Sequence, residues 1–372
     1  LVQLRSWSIS LCRDSGGRKG RVGALVVRRF CHRGLAAQRA AIERTDVVVA
    51  TGGTPVVRSA YRSGNPAIGV GPGNVPVLVD ATADLAKTAA RIIESKAFDN
   101  SILCTNESVV IAEEAIADKL LAAFAREGAY VLKDDERDAV RNAVFPDGHF
   151  NTKMVGKDAV WIAEKAGIKV PAKTRVLVAP FDLVVPEEPL AHEKLCPVLG
   201  FVRVPTATRG IDIARAILRI TGAGHSAAIH SSNPELIMMF SAAVPVLRVS
   251  VNVGNSLGAS GIQTNLAPTM TIGTGFAGRS SVGENLQPKH LINYTRLAYN
   301  ADAREVMPSF AGLNPWTSPS GPVPSYPVAS NEENYGTGNS YHHREPITQD
   351  AAELRDEIRK LIVEELHALI KN

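Results

Sequence analysis

The 372-residue chain is 45% hydrophobic and 21% charged, which supplies a sizeable core and, by length, two domains. No apolar run is long enough to cross a bilayer, the start LVQLRSWSIS lacks the order of a secretory signal, and the four cysteines (12, 31, 104, 196) show no CxxC spacing. A cytoplasmic, reduced protein is expected, with no structural metal and no membrane partner.

The net charge of +4 is unevenly spread: residues 1–44 hold ten Lys or Arg against two acids. Such an arm suits an anionic partner, but it lacks regularly interleaved aromatics and any nucleic-acid motif. It reads as a basic, ill-ordered leader, and no nucleic acid is expected as a partner. From Thr45 the texture changes. DVVVATGGTP is a short β-branched run ending in two glycines, a buried parallel strand turning into a helix. NPAIGVGPGNVPVLVD gives two apolar runs split by Gly and Pro, followed by a helix through DLAKTAARIIESKAF with Asp80 or Thr82 as its cap. The alternation repeats in SVVIAEEAIADKLLAAFAREG, KVPAKTRVLVAPFD and IDIARAILRITGAGHSAAIHSSN, so the fold class is α/β, with parallel sheets flanked by helices. Beyond Tyr299 a Pro-, Ser-, Gly- and Asn-rich stretch reads as a flexible linker over 301–349. At 350–372, Leu354, Ile358, Leu361, Ile362, Leu366, Leu369 and Ile370 fall on one stripe of an amphipathic helix. That stripe needs a cover: its own domain, a second copy, or another protein.

Within AFDNSILCTNESVV, Cys104 lies in a polar cluster with Asn100, Ser101, Thr105 and Asn106. Most free cysteines are inert small hydrophobes, whereas a nucleophile needs a thiolate, an oxyanion site and a means of resolving the covalent adduct. Taken alone, these residues leave both readings open. The turn Thr51, Gly52, Gly53 suits close approach of a phosphate to a helix start, and equally suits an ordinary strand-to-helix turn.

Five blocks in order, VVVATGGTPVVRSAYRSGNPAIGVGPGNVPVLVD, AFDNSILCTNESVV, HEKLCPVLGFVRV, GHSAAIHSSN and TMTIGTGFAGRSSVGENLQPKHLINYTRLAY, resemble the CoA-acylating branch of the aldehyde dehydrogenase superfamily. They cover roughly residues 45–300. The resemblance implies that Cys104 is the catalytic nucleophile, attacking an aldehyde with its own N–H holding the oxyanion. Thr51, Gly52 and Gly53 would bind cofactor phosphates, and Glu193 the nicotinamide ribose. Asn100, His225, Thr274 and Phe276 would contact substrate or CoA, and His192 would neighbour Glu193, while Cys196 reads as packing. GVGPGNVP is similar to the segment that carries a general-base glutamate in hydrolytic members, with Val70 at its place, 34 residues before Cys104. Valine cannot take a proton from water, so a thiol acceptor is favoured over hydrolysis.

The resemblance therefore implies an enzyme that converts a short-chain aldehyde, CoA and NAD (NADP being left open) into acyl-CoA and reduced cofactor. The alternatives are an impaired homologue serving as a scaffold subunit, and a hydrolytic dehydrogenase. The segments are read as a leader (1–44), the remnant of an incomplete dinucleotide-binding domain in an N-terminally truncated chain (45–76), the cysteine-bearing catalytic domain (77–270), a return segment (271–300), the linker, and a docking helix (350–372). A homo-oligomer is expected. The helix is also similar to those that dock enzymes to a microcompartment shell protein, which would place the enzyme inside such a compartment.

Overall fold

The computed structural model describes residues 45–312, apart from 295, 297, 307 and 310, together with the backbone of residues 6–11 and 25–30. Two units divide the chain, Leu1–Tyr294 and Thr295–Asn372.

A seven-stranded sheet dominates the first unit. Its strands are β5 (Val75–Val79), β6 (Glu107–Glu113), β7 (Ala129–Val131), β8 (Val176–Pro180), β9 (Val198–Val204), β10 (Ala227–His230) and β11 (Val249–Val251). The spatial order is β11-β10-β5-β6-β9-β8-β7, and every pairing is parallel. Runs such as VPVLV are apolar at consecutive positions because helices cover both faces of a parallel sheet, leaving neither side of the strand for polar residues. One face packs under α2 (Leu85–Ala97) and α3 (Glu114–Arg126), through Ile92, Ile93, Leu120 and Phe124. The other lies under α4 (Asp134–Val144), α5 (Ala159–Lys165), α6 (Ala207–Ile220) and α7 (Pro234–Ala243), through Val140, Ile162, Ile217 and Phe240.

The sequence assigned the cap of α2 to Asp80 or Thr82, but the cap is Asp84, whose carboxylate accepts the Lys87 N–H at 3.2 Å. Asp80 is buried and its carboxylate accepts the Thr82 hydroxyl, which itself accepts the Ser232 N–H, so both side chains are committed elsewhere.

A smaller four-stranded sheet has the order β2-β1-β3-β4, from β1 (Ser6–Leu11), β2 (Leu25–Phe30), β3 (Val47–Thr51) and β4 (Ala67–Val70). β1 runs antiparallel to both neighbours, and β3 runs parallel to β4 with α1 (Thr54–Tyr61) as the crossover. Two strands thus fall inside the 1–44 segment read as an ill-ordered leader; SWSISL alternates polar and apolar residues, a period-2 pattern that the surrounding arginines obscure.

In the second unit the described residues form turns and bends without helix or strand, with Arg304 Nε donating to Asp302 at 2.9 Å. Most of the linker and the whole 350–372 helix read from the sequence lie outside the described residues. Among the described residues no helix is long and apolar enough to cross a membrane, and no three His, Cys, Asp or Glu side chains are grouped to hold a metal ion.

Candidate active site

Cys104 lies on the loop between α2 and β6. Three successive residues there, Asp99, Asn100 and Ser101, take φ of 48°, 49° and 60°, forming a left-handed turn that L-residues adopt only under constraint. Side chains supply that constraint. Asn106 Nδ2 donates to the Ser95 carbonyl at 2.6 Å, Asn100 Nδ2 to the Gly156 carbonyl at 3.1 Å, and Thr105 Oγ1 to the Ser256 carbonyl at 3.2 Å. Asn100 thus acts within the loop, as a fixing residue.

The loop meets the connection between β4 and β5 at Gly73. A Cβ built there would lie 2.1 Å from the Cys104 carbonyl oxygen and 3.1 Å from Glu193 Oε1, while the Gly73 N–H donates to that same Oε1 at 2.9 Å. One glycine therefore joins the cysteine loop to the carboxylate, at a spot where no side chain fits. Thr51 pairs in register with Val70, so the turn Thr51, Gly52, Gly53 sits beside residues 71–73, at the carboxyl ends of β3 and β4. Gly53 caps α1 and the first turn carries no acid; Pro55 has no N–H and the Val56 and Val57 N–H groups donate to the Gly53 carbonyl at 3.0 and 3.4 Å, which leaves the Thr54 N–H open to an anion.

Burial, and then the charge of Glu193, push the Cys104 thiol up to about 12, opposed by Arg248. Part of the residue still reaches solvent, so the thiol is desolvated without being sealed. Burial raises Glu193 to about 7, opposed by the Gly73 N–H and by Lys96 and Lys194. Those two lysines are fully buried: Lys194 Nζ donates to the Leu190 and His192 carbonyls at 2.6 and 2.7 Å, and Lys96 Nζ to the Lys194 carbonyl at 3.3 Å. Desolvation lowers Lys96 to about 8 and Lys194 to about 7. Cys196 is fully buried in the core, its thiol raised to about 11 by burial. His192 Nε2 lies 2.7 Å from the Pro186 carbonyl, beside Glu193 in sequence but directed to its own loop.

His225 is completely buried. Its Nδ1 lies 3.0 Å from Ser226 Oγ, its Nε2 has no hydrogen-bond partner, and burial followed by the Arg248 charge lowers it to about 3, so the ring is neutral. The turn before it is packed by glycines: a Cβ at Gly222 would lie 2.8 Å from the Asn74 nitrogen, and one at Gly224 1.9 Å from the Thr274 carbonyl oxygen. Thr274 is buried against this turn. Phe276, two residues on, is 93% exposed, and the structure does not bring it together with Cys104.

Sequence reasoning missed Gly73, Lys96, Glu107, Arg248 and Asn255. Arg248 is buried and clamps the 271–285 segment, donating to the carbonyls of His225 (3.1 Å), Gly273 (2.7 Å) and Gly283 (2.9 Å) and to the Asn285 side chain. Asn255 links Glu107, Thr105 and Ser226 by bonds of 2.7, 2.8 and 2.9 Å. Lys96 carried a signal, because it continues the spacing of Ile92 and Ile93 on the buried face of α2. The others depend on contacts between segments far apart in sequence.

The model of the family described as "Aldehyde dehydrogenase family" matches residues 32–266. The chain is 42% identical over 262 residues to an aldehyde-alcohol dehydrogenase of Clostridium acetobutylicum, covering 69% of this chain and 30% of that one. It is 41% identical over 271 residues to a succinate-semialdehyde dehydrogenase (acetylating) of Clostridium kluyveri, covering 72% and 59%. The crystal structure of an acetylating aldehyde dehydrogenase from Geobacillus thermoglucosidasius superposes with a TM-score of 0.70 at 36% identity, covering 74% of this chain and 61% of that one. The chain therefore spans less than two thirds of the length of each of these relatives. With more than half of its residues matched by the family model, and the parallel sheet shared at this identity, the chain belongs to the aldehyde dehydrogenase family.

Proposed function

We propose that the protein converts a short-chain aldehyde and CoA to acyl-CoA, with NAD(P) as oxidant and Cys104 as the nucleophile. The observation that carries this reading is the junction at Gly73, where the constrained cysteine loop and Glu193 meet beside an α1 N-terminus free of side-chain caps. The names of two acetylating relatives support the same class.

The residues present fit a nicotinamide dinucleotide. The Thr54 N–H at the start of α1 suits a phosphate oxygen, and Glu193, with one carboxylate oxygen held by Gly73, has a second for a ribose hydroxyl. When bound, the nicotinamide supplies the hydride acceptor. The Cys104 thiol adds across the aldehyde carbonyl, its sulfur to the carbon and its proton to the oxygen, which also accepts the Cys104 N–H; that proton is released on oxidation and is later replaced by the one from the CoA thiol. Oxidation leaves an acyl group as a thioester on that sulfur. Val70, fully buried at the end of β4, gives water no base there, so the CoA thiol takes the acyl group and Cys104 recovers its proton. The proposal includes a homo-oligomer, and residues 350–372 as a docking helix for a microcompartment shell protein; deleting them would abolish co-localisation of a fluorescent fusion with the shell.

The test is formation of reduced cofactor from acetaldehyde or propionaldehyde, with and without CoA. CoA-dependent turnover lost in Cys104→Ser is the expected result. Turnover indifferent to CoA would point to hydrolysis, and no acyl adduct on Cys104 by mass spectrometry would overturn the proposal.

A further inference from the structure

Lysine is almost never fully buried without partners, because taking its charge out of water is costly. Two are buried around the Glu193 loop, and both reach main-chain carbonyls of that loop. Lys194 Nζ folds back on its own segment to donate to the carbonyls of Leu190 and His192 at 2.6 and 2.7 Å. Lys96 Nζ, from the last turn of α2, donates to the Lys194 carbonyl at 3.3 Å. Asn74, next to Gly73, takes the carbonyl of the residue between Leu190 and His192, its Nδ2 donating to Ala191 at 3.0 Å. Four carbonyls within residues 190–194 are thus tied down by three side chains.

The loop turns its lysine inward and leaves Glu193 half-buried, with one carboxylate oxygen accepting the Gly73 N–H at 2.9 Å. Packing alone does not account for the lysines, since an apolar side chain of the same length would fill the space without being stripped of water. Donors at the ends of long tails do account for them, because the carbonyls of a tight loop need partners once buried. The lysine charges also oppose the upward push of burial on Glu193, whereas the charges acting on the Cys104 thiol are those of Glu193 and Arg248. The lysines therefore reach the sulfur through Glu193.

We propose that Lys194, backed by Lys96, is a positioning residue that holds Glu193 at the Gly73 junction beside Cys104, by clasping the carbonyls on either side of Ala191 so that the loop cannot turn the carboxylate away. The purpose of this clasp rests on the proposed reaction, in which Glu193 is the group offered to the ribose of the nicotinamide cofactor.

The experiment is a double-mutant cycle on the full chain, read as the rate of iodoacetamide alkylation of the Cys104 peptide at pH 8. Lys194→Met keeps the length of the side chain and removes its donors. It should speed alkylation by about 3–10-fold, as removal of the neighbouring negative charge in Glu193→Gln does, and the double variant should be no faster than either single one. A role in packing alone would loosen the loop whatever stands at position 193, and the two factors would then multiply. Multiplying factors, or an unchanged rate in folded Lys194→Met, overturn the proposal. Should Lys194→Met not fold, Lys96→Met, which gives up a single 3.3 Å bond, carries the same cycle with a smaller single effect. In turnover, Lys194→Met should raise the KM for the nicotinamide cofactor about tenfold, with kcat changed less. Alkylation needs neither aldehyde nor cofactor, so the two ideas fail separately. Non-additive alkylation without turnover removes the reaction alone, and turnover with multiplying alkylation factors removes the positioning role alone.

Discussion

At neutral pH the Cys104 thiol holds its proton, since burial and Glu193 together raise it to about 12. Only the thiolate is nucleophilic, so alkylation of the Cys104 peptide by iodoacetamide should rise about tenfold per pH unit between pH 7 and 10 without levelling off. Mass spectrometry of that peptide reads the rate, and a plateau below pH 9 would contradict the assigned environment. Glu193→Gln removes the neighbouring negative charge and should speed alkylation several-fold at pH 8, by about 3–10-fold for a shift of half to one pH unit. At pH 6 the gain should shrink, because wild-type Glu193, raised to about 7, is then itself protonated.

Between elements, the contact to test is the one at Gly73. Gly73→Ala would set a methyl group 2.1 Å from the Cys104 carbonyl oxygen, so either the cysteine loop or the connection between β4 and β5 must move. Overpacking of this kind costs about 1–3 kcal/mol, read as a lower melting temperature, and acyl-adduct formation at Cys104 should be lost even where the chain stays folded. This contact was invisible in the sequence, where PGN reads only as a turn. By contrast β3, β4, β5, β8 and β10 were legible, because β-branched apolar runs bounded by Gly and Pro have few other ways to bury themselves. The cap of α2 was misplaced because three candidate residues, Asp80, Thr82 and Asp84, lie within five positions, and only the tertiary bond from Thr82 to the loop after β10 decides among them. Of the candidate site, Cys104, Glu193 and the Thr51–Gly53 turn were proposed from block resemblance. The buried polar support, Lys96, Glu107, Arg248 and Asn255, joins elements up to 150 residues apart and has no local pattern.

Across the whole molecule, buried titratable groups set the response of stability to pH. Burial raises Glu107 and Glu193 from their ordinary 4.5 to about 7, so their contributions are fully present below pH 4.5 and are lost as pH rises through 7. His225 and His230 are lowered from 6.5 to about 3 and 4, so their contribution is present above pH 6.5 and is lost as pH falls through those values. Between pH 4.5 and 6.5 the two effects oppose each other, and the denaturant-unfolding free energy should change little there. Glu107→Gln removes one of the two carboxylates from this balance. Measured by urea unfolding, its stability relative to wild type should climb between pH 4.5 and 7, by up to about 3 kcal/mol. A difference that is constant or declining across this range would refute the assignment.

The reversed turn at Asp99, Asn100 and Ser101 also has a consequence in time. A short coil of the wrong hand has almost no lifetime in a free chain, and here its tethers come from the helix before it and from segments around Gly156 and Ser256. Those tethers exist only once distant parts of the polypeptide have docked. A nascent chain emerging from the ribosome therefore carries this sulfur in no special posture, and acquires its place beside Gly73 only after those segments have met.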